Sequence, residues 1–192
     1  MKGGVAIIGH GPSMRGAGYG KYIDDYRIVI RFPYLKDWQI PIDYGKRTTY
    51  WFSNINRLNK RIRRELPEEG YYLWAKNGNP IGDEYKFLIS KFGGQEITEQ
   101  VKFWQGRYLK DAAHPYFSHG GVAIIAAISF FNLPVTAFGC DSIRDSLKET
   151  KYYVGSAIWE NRQFKDSSHD YQAEHKITTE FATKNKVELR FI

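Results

Sequence analysis

The apolar run Val5-Ala6-Ile7-Ile8 leads directly into Gly9-His10-Gly11-Pro12-Ser13, with Gly16, Gly18 and Gly20 close behind. A short apolar run bounded by glycines reads as a buried strand. The glycines after it let the backbone turn sharply and approach a ligand, so that N–H groups can face a phosphate. A buried strand with such a turn needs further strands beside it and helices over it. Residues 27–32, stopped by Pro33, and residues 48–52, 70–74, 135–139 and 187–192 supply further strand patterns. Residues 20–26 and 57–66 have helical patterns. Residues 121–131 form the longest helical pattern and are apolar all round, which predicts a buried helix. Residues 169–184 read as a C-terminal helix, with Ser167 or Ser168 as its N-cap. Strands alternating with helices predict an α/β fold, with a mostly parallel sheet and helices on both faces. No repeat, low-complexity tract or linker interrupts the pattern, so residues 1–192 read as a single Rossmann-like domain.

Composition sets the outer limits. A chain of 192 residues with 42% hydrophobic and 16% aromatic content can bury a substantial core and is not of a disordered class. The run 121–131 is shorter than the ~18 to 20 apolar residues of a membrane span. The N-terminus runs straight into a strand without a cleavage-site pattern. Cys140 is the single cysteine and excludes an internal disulfide. These features together lead us to expect a cytoplasmic protein. The net charge of +7 favours anionic partners. Residues 57–64, Arg-Leu-Asn-Lys-Arg-Ile-Arg-Arg, are either a solvated helix face or a patch that touches phosphate or nucleic acid.

A dehydrogenase-type dinucleotide site would need G-x-G-x-x-G and an acid closing the second strand. The third residue after Gly11 is Met14, and the second strand carries Arg31 near its end. Both departures argue against that class.

Four stretches stand in order along the chain, from Val5 to Phe32, from Asp43 to Thr49, from Gly121 to Gly139 and from His169 to Glu174. Taken together, they resemble the motifs of the animal-type sialyltransferases, read as a short cytosolic relative. Residues 5–13, continuing through Gly18-Tyr19-Gly20-Lys21-Tyr22-Ile23-Asp24 to Val29-Ile30-Arg31-Phe32, are similar to the family's long sialylmotif. Asp43-Tyr44-Gly45-Lys46-Arg47-Thr48-Thr49 resembles its D-V-G-x-[KR]-T-T stretch. Gly121-Val122-Ala123-Ile124 through Phe138-Gly139 resembles the short motif, and His169-Asp170-Tyr171-Gln172-Ala173-Glu174 the H-x-x-x-x-E motif. Four motifs in the family's order are far more specific than any one alone. In this chain His10 and Pro33 stand where the family has asparagines, and His119-Gly120-Gly121 stands for S-T-G with Ser118 just ahead. Lys151-Tyr152-Tyr153 stands for H-Y-Y, and the family's disulfide cysteines are missing.

The resemblance implies a variant of the GT-A glycosyltransferase fold and an inverting transferase. The donor would be a CMP-activated sugar (sialic acid, Kdo or related), bound as a substrate, with no cofactor and no metal. His169 would be the general base, since imidazole titrates near neutral pH. Glu174 would support the site. Its spacing of five residues from His169 places it off that residue's helix face. Lys151 and Tyr152 would stand near the leaving phosphate. Gly9, His10, Gly11, Pro12, Ser13, Arg31, Ser118, His119, Gly120 and Gly121 would contact the donor. His10 and His119 are otherwise polar loop residues, and the aromatics within 103–117 are expected to form a loop against a sugar or base. No D-x-D and no familiar metal-ligand spacing occur. A glycan or glycolipid is the expected acceptor. Two alternatives stay open: transfer to a modified nucleic-acid base, suggested by the charge, and a non-catalytic nucleotide- or glycan-binding relative. The oligomeric state is not legible.

Overall fold

The structure is a computed structural model that describes residues 2–32, 40–54, 71–75, 94–110, 117–146, 149–150, 164–165 and 169–192. Among these, nine strands form: β1 (Lys2–Ile8), β2 (Tyr26–Arg31), β3 (Tyr50–Asn54), β4 (Tyr71–Ala75), β5 (Gly94–Glu96), β6 (Val135–Phe138), β7 (Glu149–Thr150), β8 (Phe164–Lys165) and β9 (Leu189–Phe191). The helices are α1 (Gly20–Asp24), α2 (Pro41–Tyr44), α3 (Thr98–Tyr108), α4 (His119–Phe131), α5 (Asp141–Arg144) and α6 (Tyr171–Lys184), with a 3-10 turn at Pro12–Met14. Seven strands make one sheet in the order β5-β4-β3-β2-β1-β6-β9, and every pairing in it is parallel. β7 and β8 form a small antiparallel pair.

β1 is central because both its edges and both its faces are covered. Val5 to Ile8 are fully buried and pair with β2 on one side and β6 on the other. Strand side chains alternate between faces, and the core divides accordingly. Val5, Ile7, Ile30 and Phe52 point into the larger cluster with α4 and the buried residues of α3 and α6. Ala6, Ile8, Val29 and Phe138 pack with Met14, Ile23, Tyr26 and Tyr44 on the other face. Helices therefore cover both faces of a mostly parallel sheet, as the alternating pattern predicted.

α4 is buried from Gly121 to Ile128, which explains its all-apolar sequence. Ser118 caps it by accepting the Gly121 N–H at 3.1 Å, and Asn132, left-handed with φ 48°, ends it. Two expectations need correction. The cap of α6 is Asp170, whose carboxylate accepts the Ala173 N–H at 2.9 Å, and Ser167 and Ser168 lie outside the described residues. Residues 103–108 are the second half of helix α3, where Val101 and Trp104 are buried with Ile97 and Leu109. This stripe of i, i+4 and i+7 positions seats the helix, so the aromatics there are not in a loop. The expected helix at 57–66 lies outside the described residues.

Candidate active site

In a parallel sheet, ligand crevices form beyond the carboxyl ends of the strands where the strand order reverses. Here the order reverses at β1, whose neighbours are β2 on one side and β6 on the other. The turn after β1 and the turn after β6 meet at that point. The Gly9 N–H donates to the Phe138 carbonyl at 2.7 Å and the Gly11 N–H to the Gly139 carbonyl at 2.8 Å. Ser13 donates its N–H at 2.8 Å and its hydroxyl at 2.5 Å to the Asp141 carboxylate. A Cβ at Gly9 would lie 2.4 Å from the Gly139 carbonyl oxygen, and one at Gly11 2.4 Å from Asp141 Oδ2. Glycine is required here because two backbones touch. This corrects the expected reason, since the N–H groups of Gly9, Gly11 and Ser13 face protein acceptors. Met14 is fully buried, with its Cγ where a Cβ on Gly139 would fall. A dinucleotide-type glycine could not fill that space.

Helix N-termini in such a fold point to the same edge as strand carboxyl ends. Those of α4 and α6 are joined there by Glu174. Its fully buried carboxylate accepts the Ser118 N–H and the Ser118 hydroxyl, each at 2.7 Å. His169 Nδ1 stands 3.8 Å from Glu174 Oε1, with the imidazole 14% exposed and tilted against Tyr171. The expected offset between His169 and Glu174 is therefore absent. His169 precedes the helix, and the non-helical backbone brings its ring back over the first turn. Gly121 has no room for a side chain, since its Cβ would fall 2.3 Å from Glu174 Oε2.

His10, 5% exposed, stacks on Tyr44 and meets Phe32 edge-on. His119, the first residue of α4, meets Phe32 and Phe52 at ring distances of 6.4 and 6.2 Å. The two histidines thus share the Phe32 ring. Arg31 is placed differently from the expectation. It is fully buried and donates to the backbone carbonyls of Arg47 and Tyr44. Those bonds explain a buried guanidinium, which has no exposed surface to offer a donor. The 43–49 stretch is scaffolding of the same kind. Asp43 accepts the N–H groups of Gly16 and Gly18, both at positive φ, at 2.9 and 3.0 Å. The Asp24 carboxylate accepts those of Lys46 and Arg47.

The structure thus gathers residues 9–13, Ser118, His119, Gly120, Gly121, His169 and Glu174 at one edge of the sheet. Pro12 is exposed in the 3-10 turn. Gly120 lies against Ile143 of α5. Lys151, Tyr152 and Pro33 lie outside the described residues. Burial pushes the Cys140 thiol up to about 12, with the Asp141 carboxylate adding to it, so it is no nucleophile near neutral pH. Among the described residues, no group of three or more His, Cys, Asp or Glu side chains could hold a metal ion. No helix among them is long and apolar enough to cross a membrane. Asp141 was missed in the sequence, and Asp43 was quoted only as part of a motif, without its role as acceptor for the Gly16 and Gly18 N–H groups. The only signal for Asp141 was an acid two residues beyond a buried strand.

The same arrangement of strands and helices occurs in a mammalian sialyltransferase crystal structure, with a TM-score of 0.69 over 98% of this chain and 68% of that one, at 19% identity. The chain has a sialyltransferase fold. A second crystal structure of a mammalian sialyltransferase, in complex with Gal-beta-1-3GalNAc-ortho-nitrophenol, matches with a TM-score of 0.65 at 18% identity, again over 98% and 68% of the two chains. No protein-family model and no curated protein matches the sequence. The sialyltransferase fold, a GT-A-like α/β architecture, is thus carried by the backbone at low sequence identity.

Proposed function

We propose that the protein is an inverting glycosyltransferase that moves a sugar from a CMP-activated donor to a glycan hydroxyl, with His169 as general base. The observation that carries this reading is the His169 imidazole beside the buried Glu174 carboxylate, at the reversal edge of a sialyltransferase fold. Nδ1 is turned toward Glu174, and this reading assigns the acceptor hydroxyl's proton to Nε2. In the step proposed, that hydroxyl oxygen attacks the anomeric carbon as the bond to the phosphate oxygen breaks. CMP leaves with the electron pair, and the hydroxyl proton passes to Nε2. Glu174 steadies the imidazolium electrostatically and holds its ring, while Ser118 anchors Glu174. Attack opposite the leaving group inverts the anomeric centre. The turn at residues 9–13 with His10, and the α4 end with Ser118 to Gly121, would flank the nucleotide, and Lys151 and Tyr152 would serve the leaving phosphate. The glycan in complex with one sialyltransferase of this fold supports a glycan acceptor.

His169→Ala is expected to lower kcat by roughly a hundred- to ten-thousandfold, the range of general-base catalysis. CMP affinity, measured by calorimetry, should hold within about twofold, since the base touches the acceptor and not the nucleotide. Full turnover in this variant, measured as CMP release from a CMP-sugar, would remove His169 from the mechanism. The net charge of +7 keeps a nucleic-acid acceptor as a second reading. Acceptor binding that falls steeply with salt would favour it.

A further inference from the structure

Asp141 lies at the head of α5, 6% exposed, and its carboxylate takes both hydrogen-bond donors of Ser13. Arg144 Nη1 stands 3.5 Å from Asp141, but the same guanidinium makes two 2.7 Å bonds to Asp145. Arg144 is thus shared between two carboxylates. The Gly9 and Gly11 N–H groups are taken by the Phe138 and Gly139 carbonyls, and the Ser13 N–H by Asp141. A phosphate brought there would meet a buried carboxylate and carbonyl oxygens. The same bonds fix residues 9–13 on both sides of His10, whose ring is directed at Phe32 and Tyr44.

We infer that Asp141 is a positioning residue that locks the glycine turn, sets His10, and bars the nucleotide's phosphate from the turn's amide face. This rests on the donor reading above. A bound nucleotide then turns an uncharged part, ribose or base, toward the Ser13 side.

Calorimetry with CMP and with cytidine on wild type, Asp141→Asn and Ser13→Ala tests it. Asparagine keeps the shape but can accept only one of the two Ser13 donors, so both ligands should weaken together, by roughly tenfold, the size of one charge-assisted hydrogen bond. Ser13→Ala removes the hydroxyl alone and should weaken both in parallel, by less. If Asp141→Asn does not fold, as judged by circular dichroism, Ser13→Ala decides, and no loss for either ligand overturns the positioning role. Unchanged affinities in a folded Asp141→Asn also overturn it. A selective gain for CMP in Asp141→Asn places the phosphate at the turn and overturns the exclusion. Wild type that binds neither ligand sinks the donor reading and this inference with it, a pattern distinct from the variant outcomes.

Discussion

Glu174→Ala is the sharpest structural test, because the side chain has no exposure and accepts both donors of Ser118. The substitution strands the Ser118 N–H and removes the acceptor of the Ser118 hydroxyl, both now bonded at 2.7 Å. A buried donor left without an acceptor costs about 1 to 3 kcal/mol, so the pair costs about 2 to 6 kcal/mol. That is a large share of the about 5 to 15 kcal/mol that holds a domain together. At about 2 to 4 °C per kcal/mol for a chain of this size, the melting temperature should fall by about 4 to 24 °C. Glu174→Gln should be intermediate. Its amide oxygen can accept the Ser118 N–H while its NH2 donates to the second lone pair of the Ser118 hydroxyl oxygen, which already accepts the Gly121 N–H. The hydroxyl proton then loses its acceptor. One stranded donor costs about 1 to 3 kcal/mol. Denaturant unfolding followed by circular dichroism reads the order, provided the slope stays constant. A Glu174→Ala variant within about 0.5 kcal/mol of wild type would refute the claim that this carboxylate ties α6 to α4.

Three further outcomes test the local geometry and the buried titratable groups. Gly9→Ala should be strongly destabilising, since its Cβ would overlap the Gly139 carbonyl. Gly106→Ala, in α3 with nothing within 4 Å of its Cβ, should raise stability by about 0.5 to 1 kcal/mol; a thermal melt of each decides. Cys140, pushed from 9.0 to about 12 by burial, should resist a thiol reagent at pH 8 in the folded protein and react once unfolded. The unfolded thiol ionises near 9 and the folded one near 12, so the neutral thiol's contribution is complete below pH 9 and is lost as pH climbs to 12. Tyr26, pushed by burial from 10.0 to about 12, acts in the same direction. The denaturant midpoint should therefore fall above pH 9, and a flat profile to pH 11 would contradict the burial argument.

The fold was legible because its main elements carry local signals. Val5 to Ile8 alternate between two buried faces, α4 is apolar throughout, and glycines mark the turns where strands end. The site was legible only as far as its motifs. His169 and Glu174 could be paired from spacing, but their approach depends on His169 lying outside the helix, which helical periodicity cannot show. Arg31 read as a donor contact because it lies in the stretch that resembles the long sialylmotif. Its partners are backbone carbonyls 13 and 16 residues away, and carbonyls have no sequence signature. Asp141, and the role of Asp43 within its motif, were invisible for the complementary reason: each accepts backbone N–H groups or a hydroxyl from a distant loop. The stripe Ile97, Val101, Trp104 was present in the sequence but masked by the aromatics that surround it.

The reversal of strand order at β1 also bears on how the chain reaches its native state. β1 gains its second neighbour only when β6 arrives, and the Ser13–Asp141 contact that follows spans 128 residues. Contacts of such separation form slowly, because much chain must be ordered before they can close. Until then the most apolar strand keeps one unpaired edge, a template for pairing with other chains. The crevice is made from both sides of that closure, so no partly folded form with β6 undocked can hold it. The crevice is thus a property of the whole sheet, acquired at the step that shields β1 from aggregation.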